Sequence, residues 1–273
     1  MQTGAMRYLE IDNDLRHIVL EDQFEALYQP IMALPSCRIQ MAESIIRWNH
    51  PRYGVLEQND FIQTAEEVGM VNAVGQWSIQ QAMDLVRLWQ PAALGEHANE
   101  QEPIQIGIHF MSRKVIEGAC RHWPDHVQAL ALPAHTLMLE ISESALLGAR
   151  PEEIAALQSF SDAGSWICIN DFSGGFSTLC AINQYRIGYL KIGPAYLSGQ
   201  TTGSNNRVIA EALIALAHKL GIKVIATGVE TDEQRCWLLE TGCDYAQGTL
   251  IAPPMPKPDF LRFVQAAGQK TAS

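Results

Sequence analysis

The feature that most constrains this chain is a cadence beginning after residue 103, in which short apolar runs end in polar residues and lead into helical segments. The runs cover residues 104–109, 137–141, 166–171, 187–192, 222–227 and 244–247. Segments 151–163, 206–220 and 231–241 lie between them, with apolar residues at intervals of three and four. Strands that are apolar on both faces and alternate with helices build a parallel sheet covered on both sides. Two earlier strand-like runs, 24–34 and 39–48, flank the turn residues Pro35-Ser36-Cys37 and bring the count to eight. Eight such strands, with no Gly-x-Gly-x-x-Gly turn after any of them, favour a closed barrel over an open doubly wound sheet. The expected fold is α/β, a modified TIM (β/α)8 barrel.

The remaining segments organise around that barrel. Leu9, Ile11, Leu15, Ile18 and Val19 recur at helical intervals, so a leading helix is expected over 8–22, preceded by an unstructured stretch over 1–6. Further helices are expected at 60–67 and 75–88. The division that follows is an N-terminal linker and helix over 1–19, a barrel domain over 20–265 and a tail over 266–273. A length of 273 residues suits one such barrel.

Charge and cysteine usage exclude several functions. With 19 Lys and Arg against 30 Asp and Glu, the formal charge is −11, and no basic cluster offers the footprint needed to track DNA or RNA. No run approaches the ~20 apolar residues that span a bilayer, and the N-terminus lacks the basic-then-apolar order of a secretory signal. A cytoplasmic protein is expected. The six cysteines are scattered singly and read as reduced packing residues. His122 and His126 are four apart, but Pro124 between them disturbs a shared helical face, which makes them surface residues. The apolar stripe Val208, Ile209, Leu213, Leu216 and Ala217 reads as the barrel-facing side of a helix, and Cys236 and Cys243 as core.

In a barrel of this kind, binding and reacting groups gather at the C-terminal ends of the strands. The polar residues there are Glu43, His109, Glu140 with Glu143, Asn170 with Asp171, Lys191, Thr227 with Glu230, and Gln247. Any one of them has an ordinary role as a helix cap or loop hydrogen bond. Several carboxylates converging with a lysine on one rim is another matter, because burying them together is costly unless a cation or a phosphorylated ligand uses them.

Eight motifs in order carry a family resemblance. They are Tyr28-Gln-Pro-Ile31, Ala42-Glu-Ser-Ile-Ile-Arg-Trp-Asn-His-Pro51, Phe61-Ile with Ala65-Glu66, Leu139-Glu-Ile-Ser-Glu-Ser-Ala145, Asn170-Asp-Phe-Ser-Gly-Gly-Phe-Ser-Thr-Leu179, Tyr189-Leu-Lys-Ile192, Gly228-Val-Glu-Thr231 and Gly242-Cys-Asp-Tyr-Ala-Gln-Gly248. Together, over about residues 20–263, they closely resemble the EAL domain family. The resemblance implies a modified TIM barrel that binds cyclic di-GMP and, in active members, a phosphodiesterase that opens it to linear pGpG with two Mg²⁺ or Mn²⁺ ions. It implies Glu43, Glu140 and Asp171 as metal ligands and Lys191 as the lysine near the attacking water. Glu143 and Glu230 match supporting glutamates, and Gln247 a glutamine near the metals. Arg47 matches a phosphate-contacting arginine, for which a guanidinium fork is suited. Gln29, Ser44, Ile45, Asp171, Glu230, Gln247 with Gly248, and Pro254 match positions of the ligand cleft.

The departures from the family pattern cluster at the metal shell. The signature reads Glu43-Ser44-Ile45 rather than Glu-Ala-Leu. His109 replaces an asparagine ligand, Asn170 the first of two aspartates, Thr227 a glutamate and Gly193 an aspartate, while Ser173-Gly174-Gly175-Phe176 replaces Gly-Thr-Gly-Tyr. Pro253 and Ile251 stand where many members carry a basic residue and a phenylalanine. Mg²⁺ prefers hard, anionic oxygen ligands, so exchanging two carboxylates for an amide and a hydroxyl removes about two units of charge, and an imidazole poorly replaces an amide oxygen. Lys191 is then expected to pair with Asp171 or Glu43.

Three functions are compatible with this pattern. The first is a catalytically inactive EAL domain, with Lys191 and Glu43 as catalytic remnants and no metal, that acts as a cyclic di-GMP receptor. The second is a protein-interaction module that no longer binds nucleotide. The third is a residual Mg²⁺- or Mn²⁺-dependent phosphodiesterase. The resemblance also implies another signalling domain or protein as partner, and a possible homodimer through 172–182 and 194–205.

Overall fold

A computed structural model describes residues 2–18, 20–94, 104–109, 135–172, 174–175, 178, 182, 185–197 and 205–270. Eight strands close into a ring: β1 (Phe24–Ala33), β2 (Arg38–His50), β4 (Gln105–His109), β5 (Leu137–Ser142), β6 (Trp166–Asn170), β7 (Ile187–Ile192), β8 (Lys223–Thr227) and β9 (Tyr245–Gln247). The ring is parallel from β2 through β9. β1 alone runs the other way, paired antiparallel to β2 on one side and to β9 on the other, and so closes the circle. Two short strands extend it: β3 (Gly54–Glu57) pairs with β2, and β10 (Met255–Pro256) with β1.

The helices outside the ring are α1 (Gln2–Arg16), α2 (Leu20–Gln23), α3 (Gln58–Glu67), α4 (Val71–Leu94), α5 (Glu143–Leu147), α6 (Pro151–Asp162), α7 (Asn205–Lys219), α8 (Asp232–Glu240) and α9 (Lys257–Lys270). The main core lies between these helices and the outward faces of the strands, around Trp48, Phe61, Trp89, Phe160 and Phe260. A second core fills the ring itself with Ile31, Ala33, Met41, Met138, Cys168, Tyr189, Ile225 and Tyr245. The barrel is thus plugged at the level of these residues, in keeping with the layered interiors of such barrels.

Several sequence expectations change. The leading helix starts at Gln2, so the stretch expected to be unstructured is helical, and it ends at Arg16 before a separate one-turn α2. Gln2, Ala5 and Met6 in that stretch are good helix formers, and the helix runs back through Thr3 and Gly4, which are not. β3 and β10 are additions, and α9 runs to Lys270 into the expected tail. Val208 and Ile209 are exposed, 55% and 44%. The barrel-facing side of α7 is Ala210, Leu213, Ile214 and Ala217, whose i, i+3, i+4, i+7 spacing places Val208 and Ile209 off to one side. Cys37 and Cys236 are exposed rather than packed, whereas Cys168 and Cys243 are buried. Cys120, His122 and His126, and most of the two segments expected to pair copies of the chain, lie outside the described residues.

α1 is fastened to the far end of β2. Ile11 and Leu15 are buried beneath it, and Glu10 accepts hydrogen bonds from Arg52 and Tyr53. His50 Nδ1 accepts from the backbone N–H groups of Arg52 (3.1 Å) and Tyr53 (3.3 Å). Its proton therefore sits on Nε2, 3.1 Å from Asp14 Oδ2.

Candidate functional site

The site follows from strand alternation. Successive side chains point to opposite faces, so the residue two positions beyond each member of the inner core also points into the barrel. Met41 leads to Glu43, Met138 to Glu140, Cys168 to Asn170, Tyr189 to Lys191, Ile225 to Thr227 and Tyr245 to Gln247. On the reversed β1 the step runs backwards, from Ile31 to Gln29, and register places Gln29 opposite Glu43 and Ile31 opposite Gln247. One turn of the ladder converts a greasy plug into a polar floor.

Lys191 is the centre of that floor. Its Nζ lies 2.7 Å from Glu43 Oε2 and 2.6 Å from Glu140 Oε2, and the lysine side chain is 5% exposed. Gln247 Nε2 donates to Glu43 Oε2 (2.7 Å) and to Gln29 Oε1 (3.0 Å), and Gln29 Nε2 donates to Ala252 O (3.2 Å). Asn170 Nδ2 donates to Glu140 Oε2 at 3.1 Å. The Cys168 thiol lies 3.8 Å from Asn170 Oδ1, consistent with that orientation of the amide. Of the two expected partners, Asp171 or Glu43, Lys191 takes Glu43, and Glu140 joins it as an unexpected second; among the described residues no hydrogen bond or ion pair joins it to Asp171. Lys191 and Glu140 share one inward-facing layer, whereas Asp171 stands past the end of β6.

Burial and charge set the protonation states. Burial penalises the Glu140 carboxylate and neighbouring Glu43 adds repulsion, which together outweigh Lys191 and raise its pKa to about 7. Burial acts on Glu43 in the same direction, but Lys191 and His109 outweigh it and hold Glu43 below its usual range. Burial alone would lower the Lys191 pKa, yet Glu140 and Glu43 hold it above the ordinary lysine value. Burial lowers the His109 pKa, so its imidazole is neutral at pH 7. Glu140 Oε1 and Gln247 Oε1 are buried and have no hydrogen-bond partner among the described residues.

Above the floor opens a cleft of about 360 Å³ lined by Gln29, Glu43, Ile45, His109, Asn170, Asp171, Lys191, Thr227, Gly228, Glu230, Gln247, Gly248 and Thr249. Most of the sequence-derived site residues therefore converge. Glu140 lies beneath, fully buried. Asp171 holds a left-handed backbone at φ 53°, which turns the chain sharply at the rim. The Thr227 hydroxyl donates to Ile192 O at 3.2 Å, and Glu143 opens α5 and accepts from Thr178. Among the described residues, no three His, Cys, Asp or Glu side chains form a group able to hold a metal ion.

Three matched positions fall elsewhere. Ser44 alternates to the other face of β2 and is 2% exposed. Pro254 is half-buried beside β10 and is not among the described residues lining the cleft. Arg47 shares the face of Glu43 and Ile45, but its Nε lies 2.9 Å from Glu57 Oε1 on β3. Sequence reasoning missed Glu57 and Gly107, and named Gly248 without the close approach that requires a glycine there. A Cβ on Gly107 would stand 2.0 Å from Glu140 Oε1, and one on Gly248 would stand 2.1 Å from the Val229 carbonyl oxygen. A glycine inside an apolar strand is the available signal for the first, since it marks close approach of a neighbour.

Comparison with known proteins places this geometry. The EAL domain family model matches residues 12–254. The chain is 30% identical over 262 residues to the cyclic di-GMP phosphodiesterase NbdA of Pseudomonas aeruginosa, covering 96% of this chain and 33% of that protein. It is 32% identical over 249 residues to the cyclic di-GMP phosphodiesterase RocR of the same organism, covering 88% and 60%. The chain therefore spans between a third and three-fifths of these two relatives. Among solved structures, the EAL enzyme Bd1971 with cAMP and cyclic di-GMP bound superposes with a TM-score of 0.85 at 28% identity, over 96% of this chain and 70% of that one. The PaMucR phosphodiesterase in complex with c-di-GMP superposes with a TM-score of 0.80 at 28% identity, over 92% and 99%.

Proposed function

The chain belongs to the EAL domain family, and from that premise we propose that it is a cyclic di-GMP receptor which no longer hydrolyses its ligand and binds it without metal ions. The observation that carries this reading is the Lys191 ammonium, hydrogen-bonded at once to Glu43 and Glu140. Those are two of the carboxylates the family resemblance assigns to the metals, and an internal cation already bridges them.

The rest of the donor set agrees. Asn170 points an N–H at Glu140, the Thr227 hydroxyl is spent on Ile192 O, and the half-buried His109 offers an imidazole in place of an oxygen donor. Magnesium requires octahedral oxygen donors. The residues present do not fit a pair of divalent ions, which would have to displace Lys191 from both glutamates. What persists suits binding: a polar cleft floored by Gln29 and Gln247, with Arg47 on the same strand face as Glu43 and Ile45. Similarity to the c-di-GMP complex of PaMucR supports the choice of ligand.

A second reading, residual metal-dependent phosphodiesterase activity, is favoured by the activities for which NbdA and RocR are named. Calorimetric titration of cyclic di-GMP in EDTA, and again in excess Mn²⁺, separates the two when the recovered nucleotide is chromatographed. The receptor reading expects equal binding in both buffers and intact cyclic nucleotide. Metal-dependent appearance of pGpG refutes it, and absence of binding in both buffers shifts the function to protein interaction. No described helix is long and apolar enough to cross a membrane.

A further inference from the structure

Resting on the receptor reading, we propose that Glu57 is a built-in competitor of the ligand: its carboxylate occupies the Arg47 guanidinium that a ligand phosphate would otherwise take. The argument begins with charge. The described cleft residues include the acidic side chains Glu43, Asp171 and Glu230 but only one permanent cation, Lys191, which is already held by two carboxylates. A cyclic dinucleotide brings two phosphodiester anions into that space and needs a positive partner. Arg47 is the cation placed to supply one, because residues 43, 45 and 47 share a face of β2 by the two-residue strand period.

Arg47 is engaged, however. The β2–β3 register sets it directly opposite Glu57, and Nε lies 2.9 Å from Glu57 Oε1. The contact is an ion pair on Nε alone, without hydrogen-bond geometry, and a ligand phosphate drawn to the same guanidinium competes with it for that charge. Glu57 is also held in place, for its backbone N–H donates to Asp60 Oδ2 at 3.0 Å at the start of α3. Asp60 Oδ1 is in turn 4.0 Å from Arg7 of α1. The competitor therefore belongs to a strand end fastened to the helical layer rather than to a free loop. With side chains 33% and 52% exposed, the pair has the modest strength of surface ion pairs, which corresponds to an affinity change of about two- to fivefold.

The test is titration of cyclic di-GMP into the intact chain and three variants, Glu57→Gln, Arg47→Ala and Glu66→Gln, the last removing one charge from α3 away from Arg47. The expected result is binding about two- to fivefold tighter for Glu57→Gln, unchanged for Glu66→Gln and weaker for Arg47→Ala. Unchanged or weaker binding by Glu57→Gln overturns the competition while leaving the receptor reading in place. An equal gain for Glu66→Gln also overturns it, by showing that general charge removal suffices. Absence of binding by the wild type and every variant overturns the receptor reading and the competition together.

Discussion

Glu140 occupies the space that Gly107 leaves empty: a Cβ on residue 107 would lie 2.0 Å from Glu140 Oε1 and 2.9 Å from its carboxyl carbon. The buried carboxylate and the missing side chain are parts of one arrangement across neighbouring parallel strands, with Gly107 paired to Met138 and His109 to Glu140. Gly107→Ala is expected to destabilise the fold by about 1–3 kcal/mol through overpacking. Urea denaturation measures it, and a stability equal to wild type would show that Glu140 can move aside.

Lys191→Met removes the cation that bridges the buried Glu140 and the half-buried Glu43. Breaking a buried ion pair from one side costs roughly 3–5 kcal/mol, because the remaining charge is stranded. Lys191→Met combined with Glu140→Gln is expected to recover part of that loss. Equal stability of the single and double variants in urea would refute the account of the cluster as a charge-balanced unit.

The Glu140 pKa, raised to about 7 from 4.5, predicts a pH dependence with a definite sign. Between those values the folded state binds more protons than the unfolded state, so this group's contribution to stability is full below about pH 4.5 and is lost as the pH rises towards 7. His109, lowered by burial, works in the opposite direction over part of that range. The difference between wild type and Glu140→Gln isolates the carboxylate. Wild type is expected to lose stability relative to Glu140→Gln from pH 4.5 to 7, and parallel profiles over that range would contradict the raised pKa.

Asn170→Asp replaces an amide donor with a second carboxylate 3.1 Å from Glu140. In metal-free buffer the variant is expected to lose roughly 2–3 kcal/mol of stability, from a lost charge-assisted hydrogen bond and added repulsion. Combining it with His109→Asn and Thr227→Glu is expected to make stability rise with Mn²⁺ and to produce pGpG from cyclic di-GMP. If the unmodified chain hydrolyses the nucleotide as fast as the triple variant, these three positions do not explain loss of activity.

What the sequence disclosed depended on whether the responsible physics was local. The eight ring strands were legible because doubly buried strands write themselves as apolar runs, and the polar floor because residues 41/43, 138/140, 168/170, 189/191, 225/227 and 245/247 repeat one alternation. The pairing of Lys191 with Glu140 was not, since it depends on how inward-facing residues of β5 and β7 meet across the barrel. The Arg47–Glu57 contact depends on hairpin register, which the four-residue β3 does not announce. The exposure of Val208 and Ile209 reflects the narrow face that α7 presents to the sheet, where apolar character alone suggested a broader one.

Strand β2 has a consequence beyond its place in the barrel. Its inner half carries Glu43 in the polar floor, and its outer end carries His50, which ties α1 through Asp14. The seven residue steps from one to the other span roughly 23 Å of extended backbone. The leading helix and any occupant of the cleft therefore share one strand, whose pairing with β1 runs from Glu43 to Trp48 without a bulge.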